Sequence, residues 1–75
     1  MTLSDLASRI IAFLESIPRD RRVCEDCTAT YLKADRDEVL TAFREIVAAR
    51  RCFVGYGRCD VCHSDRILAR LRSEP

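Results

Sequence analysis

Two Cys-x-x-Cys pairs, Cys24 with Cys27 and Cys59 with Cys62, stand 31 residues apart in this chain. Two thiolates three residues apart can turn to the same side and hold one ion at about 2.3 Å per bond, so two such pairs complete the four-coordinate shell that Zn²⁺ prefers. The spacing therefore predicts one tetrahedral site with Cys24, Cys27, Cys59 and Cys62 as ligands. Four protein sulfurs leave no position for a catalytic water, so the metal is expected to be structural. Activity is then sought on the surface of the protein.

Length makes such a staple necessary. The 75 residues amount to one domain, 1–75, and below roughly 80 residues a hydrophobic core supplies only about 3 to 5 kcal/mol. Zinc binding in small metal-dependent domains contributes about 10 to 16 kcal/mol, which becomes folding free energy. Disulfides are the alternative staple, but they require export, and Asp5, Arg9 and Glu15 interrupt the apolar run that a signal peptide needs. No stretch reaches the roughly 18 apolar residues of a membrane span. A cytoplasmic protein with thiols rather than disulfides is expected, and the odd cysteine, Cys52, is expected to be a small buried side chain. Sulfur ligands also suit iron, alone or in a cluster, which ranks below zinc for paired Cys-x-x-Cys units. Residues 59–63 spell the attachment motif of c-type haem, but that chemistry needs export and leaves the first cysteine pair unexplained. His63 is expected at the surface of a turn, with replacement of a thiolate as its other role.

Formal net charge is +1, unevenly placed. Residues 1–49 hold seven basic and nine acidic side chains, whereas residues 50–72 hold six arginines against two aspartates. Four thiolates on one Zn²⁺ add a further −2. Generic attraction to phosphate backbones is thus weak, and nucleic-acid contact must depend on the arginines of the C-terminal third.

Hydrophobic periodicity predicts three helices. Thr2 and Asp5 fit a capping box ahead of Leu3, Leu6, Ala7, Ile10, Leu14 and Ile17, and Pro18 ends that helix. Ile11 and Phe13 widen the apolar surface, through deep burial or through a face shared with a partner chain. A polar linker and a brief extended segment at Val23 and Cys24 lead to a short second helix that begins around residues 24–27 and ends at Lys33. Asp35 and Glu38 form a second capping box, and Val39, Leu40, Phe43, Ile46 and Val47 mark a third helix to about Arg50. Beyond it, residues 52–56 and 66–71 read as a β-hairpin whose turn carries the second cysteine pair, with Tyr56 near its tip. Residues 72–75 are expected to fray.

Helix, short strand, short helix, helix and hairpin is the element order of the winged helix-turn-helix superfamily, and the chain resembles small bacterial zinc-containing members of it. That resemblance implies an α+β fold of three helices and an antiparallel hairpin wing. Residues 27–50 correspond to the helix-turn-helix and residues 52–71 to the wing. The first strand would pair antiparallel with the last, bringing the two cysteine pairs together at the base of the wing. Lys33 stands where such turns commonly have glycine, so a differently built turn is expected.

The resemblance further implies a duplex-DNA-binding transcriptional regulator. The third helix would lie in the major groove with Thr41, Arg44 and Ala48 near base edges, while Arg36, Arg58 and Arg66 contact phosphate. Asp37 and Glu45 on the same helix would repel phosphate. Affinity sufficient for a specific site would need a dimer, for which the helix at residues 3–17 is the candidate surface. Two other roles fit the sequence: a protein-interaction module of the same fold, and a metal- or redox-responsive switch that uses the sulfur site itself. No nucleophile with a base is apparent, so an enzyme with a small-molecule substrate is not expected.

Overall fold

A computed structural model describes residues 3–18 and 21–72. The elements run α1 (Asp5–Glu15), β1 (Val23–Cys24), α2 (Glu25–Leu32), α3 (Arg36–Ala48), β2 (Cys52–Arg58) and β3 (Asp65–Leu71). The strands form one antiparallel sheet in the order β1-β3-β2. This is an α+β fold with the three expected helices and hairpin, and β1 pairs with β3 as expected. No helix among the described residues is long and apolar enough to cross a membrane.

Helix α1 is capped by Ser4, whose Oγ accepts from Ala7 N–H at 3.1 Å. Thr2 lies outside the described residues. A capping box takes its second half from a Glu or Gln at the third helical position, but that position here is Ala7. Its place is taken from α3: Glu45 accepts from the Ser4 N–H and from Ser4 Oγ, each at 3.0 Å. Glu45 is thus an inter-helix cap, not a free charge on the outer face of α3. At the start of α3 the cap is Asp35, which accepts from Asp37 N–H rather than from Glu38.

Two helices end on left-handed residues that are not glycine. Lys33 has φ 55° and Arg50 φ 58°. After α2, Lys33 N–H donates to Thr30 O and Ala34 N–H to Ala29 O; after α3, Arg50 N–H donates to Val47 O and Arg51 N–H to Ile46 O. Both sets are the paired bonds of a Schellman ending. The turn at Lys33 is therefore built in the left-handed conformation despite the missing glycine, against expectation. The free C-terminal carbonyl of Leu32 accepts from Arg9 Nη2 at 2.9 Å, which ties α1 to the end of α2.

The core lies between α1, α3 and one face of the sheet. Ala7, Ile10, Ile11 and Leu14 meet Val39, Ala42, Phe43 and Ile46 over Val23, Cys52, Ala69 and Leu71. Ile11 joins the core and Cys52 is buried, as a small apolar side chain should be. Ala42 replaces Val47 in the inward stripe of α3, which leaves Val47 exposed, and Leu40 only partly buried, on the side toward the hairpin.

Strand register sorts the hairpin into two faces. Cys52, Val54, Tyr56 and Arg58 stand opposite Leu71, Ala69, Ile67 and Asp65 on the face toward α3. Phe53, Gly55 and Gly57 stand opposite Arg70, Leu68 and Arg66 on the other face, which Cys24 shares through its pairing with Leu68. Strand β2 continues to Arg58, so Tyr56 sits within the strand and the tip belongs to residues 59–64.

Candidate metal centre

Cys24 ends the shortest strand and opens α2, where its sulfur serves as the N-cap and accepts from Cys27 N–H at 3.3 Å. The strand–helix junction thus turns both sulfurs of the first pair to one side. The second pair is held by a tight turn. His63 N–H donates to Cys59 O and Cys59 N–H to Ser64 O, and His63 adopts φ 61°. This turn curls back to the segment before β1: Asp60 N–H donates to Arg22 O at 3.0 Å, Arg22 N–H returns a bond to Asp60 Oδ2 at 2.7 Å, and the Arg22 guanidinium lies 3.8 Å from the same carboxylate. The two pairs therefore meet at the turn end of the hairpin rather than at its base, with Leu68 buried beside Cys24 and Cys59.

All four sulfurs lie within 4.8 Å of one another. The Cys24 and Cys62 sulfurs are 3.7 Å apart and those of Cys27 and Cys59 are 3.8 Å apart. A tetrahedron with metal–sulfur bonds of about 2.3 Å has edges of about 3.8 Å, so these spacings suit one four-coordinate ion. A disulfide would need about 2.05 Å, and all five cysteines, Cys52 included, are free thiols. The donor set fits a soft or borderline cation. His63 stands outside the cluster.

Backbone donors prepare the site for negative charge. Cys59 is buried, which raises its pKa, but N–H donation from Cys62, Val61 and Cys24 outweighs burial and leaves it lowered; the last two are 3.3 and 3.4 Å long. The Ser64 N–H is the main cause that brings exposed Cys62 down to about 6. Burial dominates in the first pair and raises both Cys24 and Cys27. In the absence of a cation the turn pair is thus the more anionic half. A divalent ion held there would supply the charge that lets all four ionise together.

The six residues expected at DNA do not share one surface. Thr41, Arg44 and Ala48 are exposed along α3, and Thr41 Oγ1 donates back to Asp37 O at 3.1 Å. Arg44 and Ala48 line a groove of about 460 Å³ against Val54 and Ile67 of the hairpin, floored by Leu40 and Phe43 and edged by Val47. Arg58 belongs to the same sheet face, opposite Asp65, and Arg66 belongs to the other. Arg36 donates through Nη2 to Glu25 Oε1 at 3.1 Å. Glu25 is a buried carboxylate, and nothing in the sequence marks it apart from its neighbour Asp26. Helix α1 turns most of its apolar side inward. Phe13, half-buried, stacks on Tyr31 with ring centroids 4.3 Å apart, beside Ile17 and Val61 in a groove of about 440 Å³.

No protein-family model, curated protein sequence or solved structure matches this chain.

Proposed function

We propose that the chain is a winged-helix domain in which Cys24, Cys27, Cys59 and Cys62 hold one structural Zn²⁺, and that it binds duplex DNA as a small cytoplasmic regulator. The ion supplies cohesion rather than chemistry: four protein sulfurs fill its tetrahedral shell, and no water position is left for catalysis. Iron in the same four sulfurs is the lesser alternative. The observation that carries the DNA reading is the outward side of α3. Arg44 stands there between Thr41 and Ala48, beside a hairpin whose facing strand carries Arg58. Glu45, one of the two carboxylates on α3 expected to oppose phosphate, is turned toward α1, where it accepts from Ser4. In this reading α3 enters the major groove, Arg44 addresses a guanine edge and Arg58 a phosphate.

A second reading rests on the groove between α3 and the hairpin. Leu40, Val47, Val54 and Ile67 make its wall largely apolar, and Val47 is 42% and Ile67 38% exposed. An apolar strip beside a helix of mixed charge suits a protein partner, a second copy of the chain included, better than a phosphate backbone.

One titration separates the two readings. Zinc-loaded protein is mixed with labelled random duplex DNA at low salt. Binding is expected, with Arg58→Ala lowering the slope of log affinity against log salt by about 0.9 and Arg44→Ala weakening binding with the slope little changed. No binding at low salt, or binding whose slope ignores Arg58→Ala and whose affinity ignores Arg44→Ala, rejects the DNA reading in favour of the protein partner.

A further inference from the structure

The sheet face turned away from α3 carries a different chemistry. Phe53 is 48% exposed there, with the Arg70 guanidinium 4.9 Å and the Arg72 guanidinium 5.6 Å from its ring centroid. A guanidinium held over an aromatic ring is attracted to the ring's negative face and keeps N–H groups with which to donate. Two adjoining hollows, of about 470 and 240 Å³, share Arg22 and Arg70. Arg21 and Asp60 complete the larger, and Asp60 is the one carboxylate lining either among the described residues, already held by Arg22. The smaller runs along Phe53 and Gly55. At Gly55 a β-carbon would meet nothing within 4 Å, so the strand there is bare backbone open to solvent.

We propose that this face is a second binding site, for a single-stranded nucleic acid segment, with backbone phosphates in the bowl of Arg21, Arg22 and Arg70 and a base laid over Gly55 against Phe53. Charge complementarity selects a polyanion. The exposed aromatic ring beside the bare backbone of Gly55 selects unpaired bases, because a duplex keeps its bases stacked on one another and gains little from such a platform. The site does not draw on α3: Phe53, Arg70 and Gly55 lie on the opposite side of the sheet from Ile67, and no α3 residue lines either hollow.

Fluorescence anisotropy of the zinc-loaded full chain with labelled oligothymidylate at low salt tests this. Binding is expected, with Phe53→Ala weakening it about tenfold or more and Arg70→Gln lowering the salt slope by about 0.7. Gly55→Val covers the strip with a residue suited to strands and is expected to weaken binding without loss of metal. Arg44→Ala is expected to leave single-strand binding unchanged while it weakens duplex binding, so either site can fail alone. Absence of single-strand binding overturns the proposal. So does binding indifferent to both Phe53→Ala and Gly55→Val, or displacement by an acidic polypeptide as readily as by oligonucleotide, which would mark a protein-binding surface.

Discussion

Glu25 and Arg36 show how much a single buried group can commit. The Glu25 side chain is 3% exposed, and its Oε2 has no partner among the described residues, nor does buried Thr28 Oγ1 one turn on. Among the described residues, Arg36 supplies the only hydrogen bond to the carboxylate. The Arg36 side chain is 54% exposed, so Arg36→Ala, which leaves the buried carboxylate without its partner, is expected to cost about 1 to 2 kcal/mol. Chemical denaturation of the zinc-loaded protein measures this; a loss below about 0.5 kcal/mol for Arg36→Ala would show the pair to be no more than a surface ion pair. Glu45 carries a smaller share. Glu45→Ala removes both acceptors from Ser4 and is expected to cost about 1 kcal/mol, and an unchanged denaturation midpoint would contradict its capping role. Neither partnership was legible in the sequence, because each joins residues that have no local pattern in common. Ser4 and Glu45 are 41 positions apart. By contrast, the four cysteines were legible as one site, since sulfur pairs at this spacing have few other uses in a small chain.

At the scale of elements, the helices were legible wherever apolar spacing sets them, and their ends were not. Residue identity misled at the ends: both glycines, Gly55 and Gly57, sit in a strand with no positive φ, while Lys33, Arg50 and His63 take the left-handed positions. A side chain in that conformation costs about 1 to 2 kcal/mol, offset in part by the smaller chain entropy lost relative to glycine. Lys33→Gly and Arg50→Gly are accordingly each expected to stabilise the domain by about 0.5 to 1 kcal/mol. A midpoint that falls in thermal melts of either variant would mean that the side chain makes a stabilising contact. The rotation of α3 is a second case. Val47 and Ala42 both satisfy a helical stripe, and the packing of α3 against α1 and the sheet decides that Ala42 goes inward and Val47 faces the hairpin groove.

Across the whole molecule, the sulfur cluster joins parts that have little else between them. Strand β1 is two residues long and α2 eight, and of the fully buried residues of the main core they supply Val23 and Ala29. The turn at residues 59–62 reaches them through the cluster and through the bonds between Asp60 and Arg22. Removing a single ligand should therefore release the hairpin end, β1 and the start of α2 together. Cys59→Ser, which discards the most heavily hydrogen-bonded sulfur, is expected to abolish tight metal binding, with metal analysis of the purified variant as the check. The most direct test is the thermal melt of reduced wild-type protein, analysed for metal, before chelation, after it, and after zinc is restored. One zinc per chain and a cooperative melt are expected at the start, no cooperative transition after chelation, and recovery on adding zinc back. A metal-free, reduced protein that melts with the same midpoint and cooperativity as the loaded one would contradict the claim that four sulfurs on one ion hold this fold together.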